Sequence, residues 1–285
     1  MKHILRRFFY VMIIALSMAP CSYAQNSTLL REMTIFFKTD PTDFKVIDTA
    51  KHEIIYALRY LSNAGTSSER IVQDSCVLQI GHRVSKTYSK TLYDLDVLRH
   101  TRTRANYPSP PPVPPIEIFK GYPSKAYCSE TRIPFGSFDT PIYKYSEPQP
   151  VFDWKIGQEK KTIMGLECTK ATLRFRGRDY EAWFAPSVAL QEGPWKFRGL
   201  PGLIMAIKDT KEHYVFECVN IRQVKKLELI KEYNRNYKEL SRQQIRVFFE
   251  DIYAHPQQWT KSQGITIQAK EGEYFVCIFN PIELE

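Results

Sequence analysis

The sequence predicts a mainly β protein: an antiparallel curved sheet or incomplete barrel with a helix packed near the C-terminus. Three observations carry this. Runs rich in β-branched and aromatic residues are bounded by polar or glycine turns. Glycine-centred turns join neighbouring runs as tight hairpins do. A single stretch, Ser241 to Tyr253, carries apolar residues at helical spacing. With 13% aromatic residues, the 285-residue chain has material for one sizeable core.

In chain order, Met1 to Ala24 reads as a secretory signal. Basic Lys2, Arg6 and Arg7 precede the apolar run FFYVMIIALSMA, and small Ser22 and Ala24 stand where a signal peptidase cuts. Residues 25–285 are then expected to form one β-rich domain. Lipidation at Cys21 is disfavoured because Pro20 stands where a small residue is required. No later run has the length of a membrane helix, although peripheral contact with a membrane is compatible with the sequence. HEIIYALRYL from His52 and CVLQIG from Cys76 read as strands, and VSKTYSKTLYDLD alternates polar and aromatic residues, which would set Asp94 and Asp96 on one strand face. A proline-rich insertion at about 101–116 follows. Proline fixes φ and removes a donor, so a stiff polyproline surface loop is expected there in preference to a docking peptide.

KTIMGLECTKATLRFRGRDYEAWFAP reads as two strands meeting in a II′ turn at Gly177 and Arg178. LIMAIK and HYVFECVNI form a second hairpin about Asp209 to Glu212, and ITIQAKEGEYFVCIFN a third about Glu271 and Gly272. Between the last two lies the helix. Ser241 and Gln244 make a capping box, Ile245, Phe248, Phe249, Ile252 and Tyr253 form one apolar stripe, and Pro256 stops it.

The hexapeptide Gly199, Leu200, Pro201, Gly202, Leu203 and Ile204 is a structural turn motif. Leu200 is pushed to extended geometry by the proline after it. Pro201 and Gly202 suit the second and third positions of a type II turn that launches a strand. The hexapeptide holds no acid, base, nucleophile or metal ligand, so chemistry does not reside in it. Trp183, Trp195, Phe197 and Leu200 are the candidate ligand-binding residues, as the wall of an apolar mouth. The competing reading, a fixed corner closing the sheet over the core, is the one the turn chemistry favours.

Removing the three basic residues of the signal lowers the formal charge from +9 to +6, too mild for a nucleic-acid binder. Cys76, Cys128, Cys168, Cys218 and Cys277 are an odd set with no C-x-x-C spacing, so one disulfide or none is expected, and no metal site or cofactor. Cys168, Cys218 and Cys277 read as small buried hydrophobes. Arg174, Arg176 and Arg178 read as exposed arginines along a strand, and the basic run 221–246 as the wet side of helical connectors. HExxH and GxSxG are both missing. The expected function is therefore non-catalytic: binding of a small apolar or amphipathic ligand, or of an envelope protein. The alternative is a secreted hydrolase drawing on Asp94, Asp96, His213 or Cys168.

Several motifs point the same way. MGLECTKA, FRGRDYEAWFAP, EGPWKFRGLPGLI and the terminal NPIEL, in that order from about Trp154, resemble the GLPGLI family of exported Bacteroidetes proteins, also called the Porph_ging family. The likeness extends loosely to DSCVLQIGHRVSKTYSK in the first half and leaves out Thr101 to Pro115. The resemblance implies an exported, β-rich protein of the periplasm or cell envelope, and it supplies no catalytic residues.

Overall fold

The computed structural model describes residues 39–67, 69–101, 113–114, 116–133, 140–264 and 278–285. The expected signal over 1–24, most of the proline-rich insertion and the expected hairpin about Glu271 and Gly272 lie outside the described residues.

Fourteen strands and three helices are described. In order they are β1 (Phe44–Thr49), β2 (His52–Ser62), β3 (Arg70–Ile80), β4 (Ser85–Ser89), α1 (Lys90–Thr101), β5 (Ile116–Lys120), β6 (Tyr127–Thr131) and β7 (Ile142–Glu147). There follow β8 (Lys155–Ile163), β9 (Leu166–Phe175), β10 (Arg178–Ala185), β11 (Leu203–Asp209), β12 (Tyr214–Gln223), β13 (Leu229–Tyr233), β14 (Tyr237–Glu239), α2 (Arg242–Ala254) and α3 (Pro256–Ser262). Twelve strands form one sheet in the order β14-β7-β6-β5-β4-β3-β2-β12-β11-β10-β9-β8, and β1 and β13 form a separate ribbon. Every neighbouring pair is antiparallel except β14 with β7. The end strands β14 and β8 do not meet, so the sheet is open, as the sequence predicts.

Alternation along the strands sorts side chains to two faces. Ile54, Tyr56 and Leu58 of β2 and Cys76, Leu78 and Ile80 of β3 join Ala171, Leu173 and Phe175 of β9 in one buried cluster. Strands five positions apart in the sheet, β3 and β9, share that core, so the sheet curls around it. The opposite face of β4 to β6 is covered by the β1–β13 ribbon and α1.

Local turn chemistry explains most junctions. Arg176 and Gly177 both have positive φ, +49° and +78°, which is a type I′ turn between Phe175 and Arg178 rather than the II′ turn expected. Met164 and Gly165, at +52° and +77°, make a second such turn. The stretch read as two strands is therefore three, β8, β9 and β10. The expected strand through LYDLD is instead α1: Ser89 Oγ accepts from the Leu92 amide, and Lys90 pairs with Asp94 at i,i+4. A helix turns residues two apart to different sides, so Asp94 is exposed while Asp96 is buried. The capping box on α2 forms as expected, with Ile245, Phe249 and Ile252 buried. Pro256 ends α2 and also opens α3, a use its fixed φ permits.

Candidate functional site

The GLPGLI corner folds against the concave core. The Gly202 amide donates to the Leu200 carbonyl at 2.8 Å, closing a γ-turn centred on Pro201 in place of the type II turn expected. Gly202 sits at φ +154°, and a Cβ there would lie 2.7 Å from the carbonyl carbon of Ala185 and closer still to its oxygen. Only glycine lets the two backbones touch. Three backbone bonds, Gly199 to Gln191, Leu203 to Val188 and Ile204 to Glu192, pin the corner. Beneath it, buried Lys120 donates to the carbonyls of Gly193 and Phe197 and pairs with Glu192 at 2.7 Å.

This geometry corrects the expected apolar mouth. Phe197 is 0% and Leu200 1% exposed, and Trp195 is likewise buried, its ring edge-on to Phe175 and Phe197. Trp183 is buried beneath Lys161, whose Nζ stands 4.4 Å from the ring centroid, and it donates to Glu181. The void beside Trp195 measures about 40 Å³, room for about one water. Packing has consumed these surfaces: Trp195, Phe197 and Leu200 fill the corner, Trp183 lies under Lys161 and Lys170, and none of the four offers an opening.

The roomy cavity lies on the opposite face. It encloses about 360 Å³ between the outward side of β4 to β6, the β13 strand of the ribbon and α1. Alternation turns Lys86, Glu117 and Glu130 outward from β4, β5 and β6, while Ser85, Thr87 and Ile118 turn to the other side. Arg235, just after β13, closes the floor. Its Nη1 donates to Glu117 and to Glu130, each at 2.7 Å, and Lys86 pairs with Glu117 and donates to the Lys231 carbonyl at 2.6 Å. Aromatic rings flank the cations: Lys86 Nζ lies 4.8 Å from the Tyr233 centroid and 5.4 Å from that of Tyr88. The wall is finished by Arg132, held by Asp96 of α1.

The floor is dry and the rim is wet. The side chains of Lys86 and Arg235 are 4% exposed and that of Glu130 1%. At the other end Arg222, joined to Glu53 at 2.8 Å and Glu228 at 2.7 Å, is 41% exposed. The cavity therefore opens beside Arg222.

Burial and pairing pull the floor groups apart. Burial would raise Glu117, but the charges of Arg235 and Lys86 outweigh it and hold this carboxyl well below the usual range. Burial pushes Glu130 up, and the neighbouring Glu117 charge adds to it against the pull of Arg235 and Lys144. Burial lowers Lys86, opposed by Glu117. Oε1 of Glu130 has no hydrogen-bond donor among the described residues, and Lys144 Nζ lies 3.7 Å from it.

The candidates for hydrolytic chemistry stay apart. Asp94 pairs with Lys90 on the surface, Asp96 serves Arg132, and Cys168 is buried in the concave core with its thiol pushed up by burial. His213 stands beside Arg178 and Asn280. The three arginines read as one row also separate. Arg174 pairs with Asp179 on the surface, Arg176 with Glu147, and buried Arg178 with Asp209 at 3.0 Å. The basic run 221–246, expected as solvated helical connectors, instead forms β13 and β14 and supplies Arg222, Lys231 and Arg235 to the cavity. Among the described residues no three histidine, cysteine or acidic side chains are placed to hold a metal, and the four described cysteines are free thiols.

Sequence reasoning missed Lys86, Glu117 and Glu130 because each stands singly in its own strand, and it met Asp96, Arg222, Lys231 and Arg235 only as parts of other patterns. The one available signal was charge interrupting otherwise strand-like runs, in IEIFK, YCSET and LIKEY.

These features define a class: a mainly β protein with an open antiparallel sheet, an aromatic core inside the curve and a charged cavity outside it. No family model and no curated protein matches the chain. Structures of PNGF-II in the P21 and C2 space groups are similar to it at 15% and 13% identity, with TM-scores of 0.49 and 0.48. Each match covers 73% of this chain and 34% of the other, so the chain spans about a third of PNGF-II. A LolA superfamily protein from Nitrosomonas europaea is similar at 10% identity and a TM-score of 0.24, over 70% of this chain and 94% of that one. No activity is carried over from these proteins.

Proposed function

We propose that the protein is an exported, envelope-associated binding protein whose ligand seat is the cavity between the sheet, the β1–β13 ribbon and α1. One observation carries the reading: a volume of about 360 Å³ is kept beside charged groups that are almost wholly buried. A purely structural ion-pair network gains from close packing, because burying charges is costly and a gap beside them forfeits contacts as well. Room beside convergent polar groups is the mark of a small-ligand site. The ligand is small and amphipathic, its polar groups at the floor and its apolar face on Tyr88, Tyr93 and Tyr233.

Export and envelope location rest on the order of basic, apolar and small residues over 1–24 and on the resemblance to the GLPGLI family. Among the described residues no helix is long and apolar enough to cross a membrane.

Native mass spectrometry of the protein purified from its own cell envelope tests the seat. A reproducible small-molecule adduct is expected, and it should be lost when Tyr233 is replaced by Ala. An adduct that persists in that folded variant would place the ligand elsewhere. Edman sequencing of the same sample is expected to begin at Gln25.

A further inference from the structure

Resting on that seat, we infer that its ligand is a neutral, polyhydroxylated molecule of one or two rings, sugar-like in chemistry, rather than an anion or a lipid chain.

The first argument is charge balance. Five cations and five carboxylates line the cavity. At the floor, Arg235 and Lys86 are engaged by Glu117 and Glu130, and at the mouth Arg222 is engaged by Glu53 and Glu228. An anion could seat at the floor only by displacing a carboxylate from its partner, leaving that group buried and unpaired. A cation faces the mirror-image penalty.

The second is hydrogen-bond capacity. A carboxylate offers about four lone-pair sites and a guanidinium five donors, so the ion pairs do not exhaust either group. A hydroxyl both donates and accepts, so it can join a carboxylate and a cation without breaking their pairing. An alkyl chain would bury the same groups and repay nothing.

The third is shape. Tyr88 and Tyr93 meet at 5.6 Å between centroids, and Tyr233, which hydrogen-bonds to Tyr93 and lies under Lys86 and Arg235, continues the same aromatic wall beside the charges. A saturated sugar ring, apolar across its faces and polar around its edge, matches that pattern. The volume lies near the lower end of small-ligand sites, roughly 300–1,000 Å³, which suits one or two rings.

The test is calorimetric titration of the full mature chain, freed of co-purified ligand, with a panel of neutral mono- and disaccharides including N-acetylated ones. Sodium glutamate, inorganic phosphate and laurate serve as comparators. At least one sugar is expected to bind with an affinity indifferent to salt, since no net charge is neutralised. Glu228→Gln and Tyr93→Leu, two separate changes near the rim, should each weaken binding by about tenfold, the scale of one lost hydrogen bond or ring contact. Their melting curves establish that both variants are folded. Binding of phosphate, glutamate or laurate that these variants weaken would overturn the ligand class while leaving the seat intact. Silence across the whole panel would overturn the ligand class too, and the native adduct would then decide independently whether the seat stands.

Discussion

The hydroxyl of Tyr56, on β2, donates at 2.8 Å to the carbonyl of Ile204, the last residue of the GLPGLI corner, across 148 positions of sequence. Burial pushes the phenol well above its ordinary range, so it remains a donor at any accessible pH. The first half of the chain is thereby tied to the corner that closes the second. Tyr56→Phe keeps the ring and deletes the bond, leaving a buried carbonyl short of a partner. A loss of about 1–3 kcal/mol is expected, which in a domain of this size lowers the melting midpoint by several degrees. Circular dichroism melting reads it, and an unchanged midpoint would show that the bond contributes nothing.

Two glycines of the hexapeptide should respond differently to alanine. At Gly199, φ is +93° but nothing lies within 4 Å of an added Cβ, so only backbone strain is felt, about 1–2 kcal/mol. At Gly202 the same strain adds to a collision with the Ala185 backbone, and a loss above about 3 kcal/mol is expected. Urea denaturation of both variants should rank Gly202→Ala as clearly the less stable.

Arg235 holds two buried carboxylates at once. Arg235→Met removes their shared partner and should cost about 3–5 kcal/mol at neutral pH. The penalty depends on pH in a definite direction. In the wild type, Glu117 has its folded pKa below its unfolded one, so its contribution is present above the ordinary glutamate value and is lost as pH falls below it. Without Arg235, burial dominates and the carboxyls take up protons more readily in the folded state, which relieves the variant in acid. The stability gap, measured by urea titration at pH 7 and again near pH 4, should narrow at the lower pH. An equal or wider gap there would refute this account of the floor.

The thiols of Cys76, Cys128 and Cys218 are each pushed up to about 12, chiefly by burial, and that of Cys168 is raised for the same reason. A thiol that stays protonated is a poor nucleophile. In native protein at pH 8, iodoacetamide should leave all four unmodified, while denatured protein reacts fully. Peptide mass spectrometry distinguishes the two, and rapid native labelling of Cys168 would reopen the hydrolase reading.

Much of the fold was legible because its signals are local. The hairpin between β9 and β10 is announced by a glycine between alternating runs, and the turn differs from expectation only because Arg176 joins Gly177 at positive φ. The Ser241 to Gln244 box involves atoms three residues apart, and it forms as read. LYDLD misled because two-residue alternation and helical spacing coincide over so short a run, and the serine cap at Ser89 decides for the helix.

What the sequence determined by itself, then, is a mainly β protein with an aromatic core, a glycine-dependent corner at Gly199 to Ile204 and one well-capped helix near its end. Each of these is set by interactions within a few residues of chain. Tertiary structure alone decided that Trp195, Phe197 and Leu200 are packed shut, and that Lys86, Glu117, Glu130 and Arg235 converge on a cavity. Alternation sends a charged side chain to one face of its strand, but strand order chooses its neighbours. Whether that face is solvated or buried depends on the β1–β13 ribbon and α1, which arrive from distant parts of the chain.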